Sequence, residues 1–154
     1  MGIPHAVLIL SPFPSDMPSI LTLHLAATWA LVGLIHTIQW VHYPLFKHVA
    51  AEDFPEFHRQ HTSRITRVVA PLMLAELLTA AWMLLKPVTN PPLFFISLVP
   101  LIIVWISTAF LQIPLHQRLA TGFDPVVHRR LLLTNQLRTL AWTLRAALLL
   151  ALAI

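Results

Sequence analysis

The sequence predicts an all-α integral membrane four-helix bundle with both termini on the outer side, and three observations carry that reading. Of 154 residues, 57% are hydrophobic and 10% charged, against about 25% charged in ordinary soluble domains. Four apolar runs each approach the roughly 20 residues that a helix needs to cross a hydrocarbon core. The basic residues collect at the ends of these runs on one side only.

The runs fall at about 19–43, 63–86, 92–115 and 131–154 of a single domain, 1–154. Pro18 and Pro92 suit helix starts, and Pro44 and Pro87 suit helix ends. Pro71 and Pro100 fall inside spans and predict kinks. The connection 86–92 is short, so the second and third spans form an antiparallel hairpin. The connections 44–62 and 116–130 are long, and alternation puts both on one side. That side holds Lys47, Arg59, Arg64, Arg67, Arg118, Arg129 and Arg130, while the other has Lys86 alone. The positive-inside rule makes the long loops cytoplasmic and turns both termini outward, as in a protein of a bacterial inner (plasma) membrane.

The first residues, MGIPHAVLILSPFPSDMPS, lack a basic n-region, and their apolar run is too short for a secretory signal. Ala6 stands where myristoylation wants Ser or Thr. The chain has no cysteine, which excludes disulfides, thiolate metal sites and a cysteine nucleophile. The formal net charge of +4 does not indicate nucleic acid, because the basic residues border apolar spans and form no soluble basic face.

Each span carries polar residues at helical spacing. His36, Gln39 and Tyr43 follow i, i+3, i+7 in the first, and Glu76 stands alone in the second. Thr108, Gln112 and His116 share a face of the third, and Asn135, Arg138, Trp142 and Arg145 share a face of the fourth. All are expected to point into the bundle. At about 1.5 Å rise per residue, Glu76 lies roughly 13 to 18 Å above the cytoplasmic edge, with Arg138 and Arg145 at roughly 12 and 22 Å. An intramembrane charge costs at least about 2.5 kcal/mol and is usually paired or turned to a cavity. Glu76 is therefore expected to bridge to Arg138, Arg145 or both. One acid and two bases leave a surplus cation, which predicts a polar ligand, a water-filled pocket or a carboxylate from another chain.

Nine histidines supply the second signal. His58 and His61 stand at i, i+3 in a stretch that reads as a short interfacial helix, and His42, His48, His116 and His128 belong to the same side. Neutral imidazole ligates zinc, copper, haem and iron, so His36, His58, His61 and His116 are the candidate ligands for a metal ion, iron or copper, or for haem. Trp105 and Trp142 lie deep enough to wall a flat apolar ligand, although packing is the default reading for them.

The run LQIPLHQRL at 111–119 and the run TNQLRT at 134–139 resemble small four-helix membrane proteins related to anthrone oxygenases. In those proteins a Pro-Leu-Asn/His element ends the third helix and an Asn-x-x-Arg-Thr element opens the fourth. The resemblance covers the C-terminal third and the four-span layout; WVHYPLF and the His58/His61 pair lie outside it. It implies an oxygenase or a relative acting on a hydrophobic aromatic substrate, with His116, Asn135 and Arg138 at the matching positions.

The leading functional reading is a membrane-embedded oxidoreductase or oxygenase-like protein. Its site lies in the cytoplasmic half and acts on or binds a hydrophobic ring compound, quinone, haem or metal. His36, Tyr43, Glu76 and Arg138 are the candidate catalytic residues, and Gln39, Gln112, Asn135, Arg145 and Trp142 the candidate cofactor-binding ones. The expected partners are the lipid bilayer and a hydrophobic small molecule, with a membrane-protein partner or a second copy of the chain also open. A small-anion transporter and a structural subunit of a larger membrane complex are the alternatives. The near-pure hydrocarbon of ALLLALAI at the outer end speaks against a through-path.

Overall fold

The computed structural model describes residues 17–154, and all regular structure among them is helical. The sequence readings on the N-terminal 16 residues, including the absence of a signal or acylation site, lie outside the described residues. The chain forms four rods. The first is α1 (Met17–Thr37), continued through a π-helical turn (Ile38–His42), the short α2 (Tyr43–Leu45) and a 3-10 turn (Phe46–His48). The second is α3 (Phe54–Leu84). The third is α4 (Pro91–Ser107), a second π turn (Thr108–Gln112) and α5 (Ile113–Leu119), and the fourth is α6 (Pro125–Ala153).

The rods are longer than the apolar runs that announced them. The long loops expected at 44–62 and 116–130 are mostly helix, which leaves connections at 49–53 and 120–124. The short interfacial helix expected around His58 and His61 is instead the first part of the continuous α3. Asp124 caps α6 through bonds from the Val126 and Val127 amides and supplies acceptors that a helix start otherwise lacks. Asn90 caps α4 by accepting from the Leu93 amide.

Pro44 does not end the first rod. A proline has no N–H to donate, and its ring pushes away the carbonyl one turn back. The ladder accommodates this by widening just before it, where the Tyr43 amide reaches the Ile38 carbonyl. Pro114 does the same in the third rod, where the Ile113 amide reaches the Thr108 carbonyl. Pro71 and Pro100 lie within α3 and α4 without interrupting them.

Three apolar cores stack along the bundle. Ile38, Phe46, Phe54, Leu119 and Leu131 fill the end with the 49–53 and 120–124 connections, here the loop end. Leu31, Ile35, Met73, Val104 and Ala146 fill the middle. Met83, Phe94, Leu149 and Leu152 fill the hairpin end. The outside is also apolar: Leu74, Leu78, Phe95, Val99, Ile102, Ile106, Phe110, Leu140 and Leu144 are exposed. Three rods, Ser19–His48, Phe54–Leu84 and Pro91–Leu119, are long and apolar enough to cross a membrane. The fourth has the length, but its arginines dilute its apolar run.

Packing runs α3 on α1, α1 on α6 and α6 on α4. The ring is loose at its last contact. Although α3 and α4 are joined by the short connection 85–90, they barely touch, and α3 meets α5 at few points. The hairpin expected from that connection turns the chain back without packing its two helices closely, and the cavity described below accounts for the gap.

Candidate functional site

Two polar groups occupy the interior, and they differ in kind. Toward the hairpin end, Glu76 and Arg145 form a fully buried ion pair, with Arg145 Nε donating to Glu76 Oε1 at 2.8 Å. Thr28 Oγ1 donates to the same oxygen at 2.9 Å, and Trp142 Nε1 to Glu76 Oε2 at 3.1 Å. The other guanidinium nitrogens of Arg145 reach the Ser97 carbonyl and His24 Nε2, and His24 Nδ1 lies 2.6 Å from Thr79 Oγ1. Residues from α1, α3, α4 and α6 thus share one network. A buried charge pair tolerates its desolvation only when geometry and extra hydrogen bonds are good, and this one has both. Its role is to clamp the four rods.

The second group borders a cavity of about 500 Å³ in the other half of the bundle. The cavity wall is mostly apolar, with Leu31, Ile35, Val69, Met73, Trp105 and Trp142 toward the middle. Tyr43, His58, Gln112, His116 and Arg138 add the polar positions. Tyr43 Oη lies 2.9 Å from His116 Nε2, and His116 Nδ1 lies 3.0 Å from His58 Nε2. These three side chains, from α2, α5 and α3, form one hydrogen-bonded chain. A proton added at one end can leave at the other by exchange of imidazole tautomers. The π turns set the α2 and α5 members: each shifts the residues after it around the helix axis, and Tyr43 is the first residue after its turn and His116 the fourth.

Beside this chain His42 Nε2 lies 2.7 Å from His61 Nδ1. The ring centroids of His58, His61 and His116 are 5.2 Å (58 to 116), 5.9 Å (61 to 116) and 6.4 Å (58 to 61) apart. The rings are close, but among the described residues no group of three His, Asp or Glu side chains is arranged to hold a metal ion. Their nitrogens are largely engaged with one another. His58 Nδ1 and His61 Nε2 remain buried without partners.

Arg138 differs from Arg145 in having no acid beside it. It is 6% exposed, its Nη1 donates to Asn135 Oδ1 at 3.2 Å, and its guanidinium lies 5.0 Å from the centre of the Trp142 ring. Its Nε has no partner, nor do Trp105 Nε1 and Gln112 Oε1, and all three residues line the cavity. Asn135 is held in turn by donating to Gln39 Oε1 at 2.8 Å. Gln112 Nε2 donates to Thr134 Oγ1 at 2.8 Å.

The predicted residues therefore divide. Tyr43, His58, His116, Gln112, Arg138 and Trp142 line the cavity together, and Gln39 and Asn135 stand behind Arg138. Glu76 and Arg145, expected at the catalytic and cofactor positions, belong to the clamp, and Glu76 pairs with Arg145 and not with Arg138. Trp142 separates the two groups, with its N–H on Glu76 and its ring against Arg138. His36, expected as a catalytic residue and metal ligand, is half-buried and bonded to Thr143 Oγ1 at 3.0 Å, away from the other histidines. The π turn between His36 and Tyr43 breaks the helical register that placed them on one face. His61 bonds to His42, packs its ring beside Tyr43 and His116, and does not line the cavity.

Sequence reasoning missed His24, Thr28 and Ser97 of the clamp, and His42. The i, i+4 spacing of His24 and Thr28 inside an apolar span was a usable signal for the first two. No family model, curated protein or solved structure matches the chain.

Proposed function

We propose that this is an integral membrane protein with both termini outward and the 49–53 and 120–124 connections on the cytoplasmic side. We propose further that it is an oxidoreductase of the oxygenase-like kind, taking a hydrophobic ring compound into the cytoplasmic half of the bundle. The observation that carries the reading is the cavity of about 500 Å³, whose apolar wall meets the Tyr43–His116–His58 chain and Arg138. Trp105 and Trp142 offer flat surfaces to a ring, and Arg138 offers a fixed charge to its oxygen. The Tyr43–His116–His58 chain can take up or return a proton at a ring hydroxyl. A well-formed apolar pocket with a few converging polar groups is the usual form of a small-molecule site. The resemblance of PLH at 114–116 and NQLRT at 135–139 to the anthrone oxygenase relatives supports the same reading, since His116 and Arg138 both line this cavity.

His58 and His116 spend their facing nitrogens on each other and His61 lies off the cavity, so these histidines do not form a ready ligand set for iron, copper or haem. The transporter alternative is disfavoured by the clamp, which fills the interior beyond the cavity with mutually satisfied side chains.

Two experiments test the proposal. Because the chain has no cysteine, single cysteines report sidedness directly. In intact cells a membrane-impermeant maleimide should label Thr89→Cys and spare Thr121→Cys, and the reverse pattern rules out the orientation. For the activity, protein purified in mild detergent is examined by visible spectrum, metal analysis and binding of quinones and hydroxylated polycyclic rings. A sample that is colourless, metal-free and binds none of these rings defeats the oxidoreductase reading. Where a ring compound is turned over, Tyr43→Phe should lower the rate about 10²-fold or more, the usual share of a positioned proton-transfer group.

A further inference from the structure

Among the described residues, nothing balances the charge of Arg138. Of the six acidic residues, Asp16 lies outside the described residues. Glu76 is committed to Arg145, Glu56 to Arg59 and Asp124 to the α6 cap. Glu52 and Asp53 are exposed in the connection at the loop end. Among the described residues no carboxylate lines the cavity, and the groups that face Arg138 across it, Tyr43, His58 and His116, are neutral or basic. A lone buried cation is costly and persists where something else supplies its counter-charge. Its partnerless Nε and that of the Trp105 indole are both donors, the pair that an anionic oxygen would accept from. Gln112 Oε1 is a partnerless acceptor on the same wall, because its amide nitrogen is fixed on Thr134, whose hydroxyl already donates to the Arg130 carbonyl. It suits a hydroxyl or a water beside the anion.

The cavity also has a side opening. Its lining includes Thr62, Thr66 and Ala70 along α3, Ile113 and Gln117 along α5, and Ala120 just past the end of α5. Thr66, Ile113, Gln117 and Ala120 are exposed, and these two rods make the loosest contact in the ring. The α3 side chains at this opening, Thr62, Thr66 and Ala70, are small.

We propose that the ligand of this cavity is a lipophilic anion, an apolar body bearing one acidic oxygen group, which reaches Arg138 sideways from the bilayer through the cleft between α3 and α5. The inference rests on the proposed ring-binding cavity and narrows its occupant from neutral quinones and rings to acids.

The test uses full-length protein in nanodiscs of phosphatidylcholine, with 1-pyrenebutanoate and its methyl ester as probes at pH 8, where the carboxyl is ionised. Saturable energy transfer from tryptophan to pyrene reports binding. Wild type is expected to bind the acid at least tenfold more tightly than the ester. Arg138→Gln should lose that preference while binding the ester within twofold of wild type, which also shows that the variant is folded. Arg138→Lys should keep the preference. Thr66→Trp, which fills the cleft, should slow association of both probes at least tenfold.

Equal binding of acid and ester by wild type, unchanged in Arg138→Gln, overturns the anion and leaves the ring-binding cavity standing. A lysine variant that binds the ester but not the acid overturns it as well. Absence of saturable transfer with either probe removes the cavity reading and the anion together. Unchanged association in Thr66→Trp removes the sideways route.

Discussion

Glu76→Gln is expected to lose about 3–5 kcal/mol of folding free energy, the cost of removing one partner from a buried ion pair. The substitution is nearly isosteric, so packing changes little, but Arg145 keeps its charge with no anion to meet it. Glu76 accepts from Arg145, Thr28 and Trp142 at once, and the loss therefore spreads to α1 and α6 together. The measurement is the unfolding free energy in mixed micelles with increasing denaturing detergent. A loss under about 1 kcal/mol, the scale of an exposed pair, would show that the pair does not hold the bundle. The matched variant Arg145→Met should also destabilise, because it strands the Glu76 carboxylate.

Arg138→Met is expected to act in the opposite direction. Arg138 has no acid beside it and one hydrogen bond, to Asn135, so its desolvation is hardly offset within the protein. Exchange for an apolar side chain of similar length removes that penalty, and a gain of about 1 kcal/mol or more is expected, within the range seen when buried ionic groups become hydrophobic. The same change should abolish the preference of the cavity for an acid over its ester. A residue that lowers stability and is kept at a site is the usual sign of function taking precedence. A loss of 2 kcal/mol or more on Arg138→Met would instead place Arg138 with Arg145 as a structural group. The two arginines lie seven residues apart on one face of α6, and these opposite outcomes distinguish them by a single assay.

The difference between those arginines was only half legible in the sequence. Apolar length located the rods, because burial in hydrocarbon and helical hydrogen bonding leave few alternatives. The polar stripe of α6 was read correctly: Asn135, Arg138, Trp142 and Arg145 are all buried. Depth arithmetic placed Glu76 between the two bases and could not choose, since both lie within reach of a side chain on a neighbouring helix. The choice depends on how far the rods slide along one another. His24 and Ser97, which complete the shell around Arg145, come from rods whose offset no single segment encodes.

The first rod shows a different limit. His36, Gln39 and Tyr43 obey an α-helical period, and the period fails where Pro44 widens the turn before it. A proline inside an apolar run reads as an end or a kink, and here it is a local insertion that redirects Tyr43 toward His116. The paired prolines Pro44 and Pro114, each just after a π turn, were visible as residues but not as a device. The histidine cluster was legible as one end of the bundle and not as a geometry. His58 and His61 lie on one helix, while their contacts come from His116 and His42 on the others.

The central claim is that the bundle is hollow around Arg138 and sealed around Arg145. Thr108 and Ser97 lie on the same rod, Thr108 on the cavity wall and Ser97 against Arg145. The most direct measurement is the rate at which a small cationic methanethiosulfonate modifies Thr108→Cys and Ser97→Cys in nanodiscs. The account predicts that Thr108→Cys reacts at least a hundredfold faster and is protected by a cavity ligand. Equal inertness of both cysteines, or faster reaction at Ser97→Cys, would contradict it.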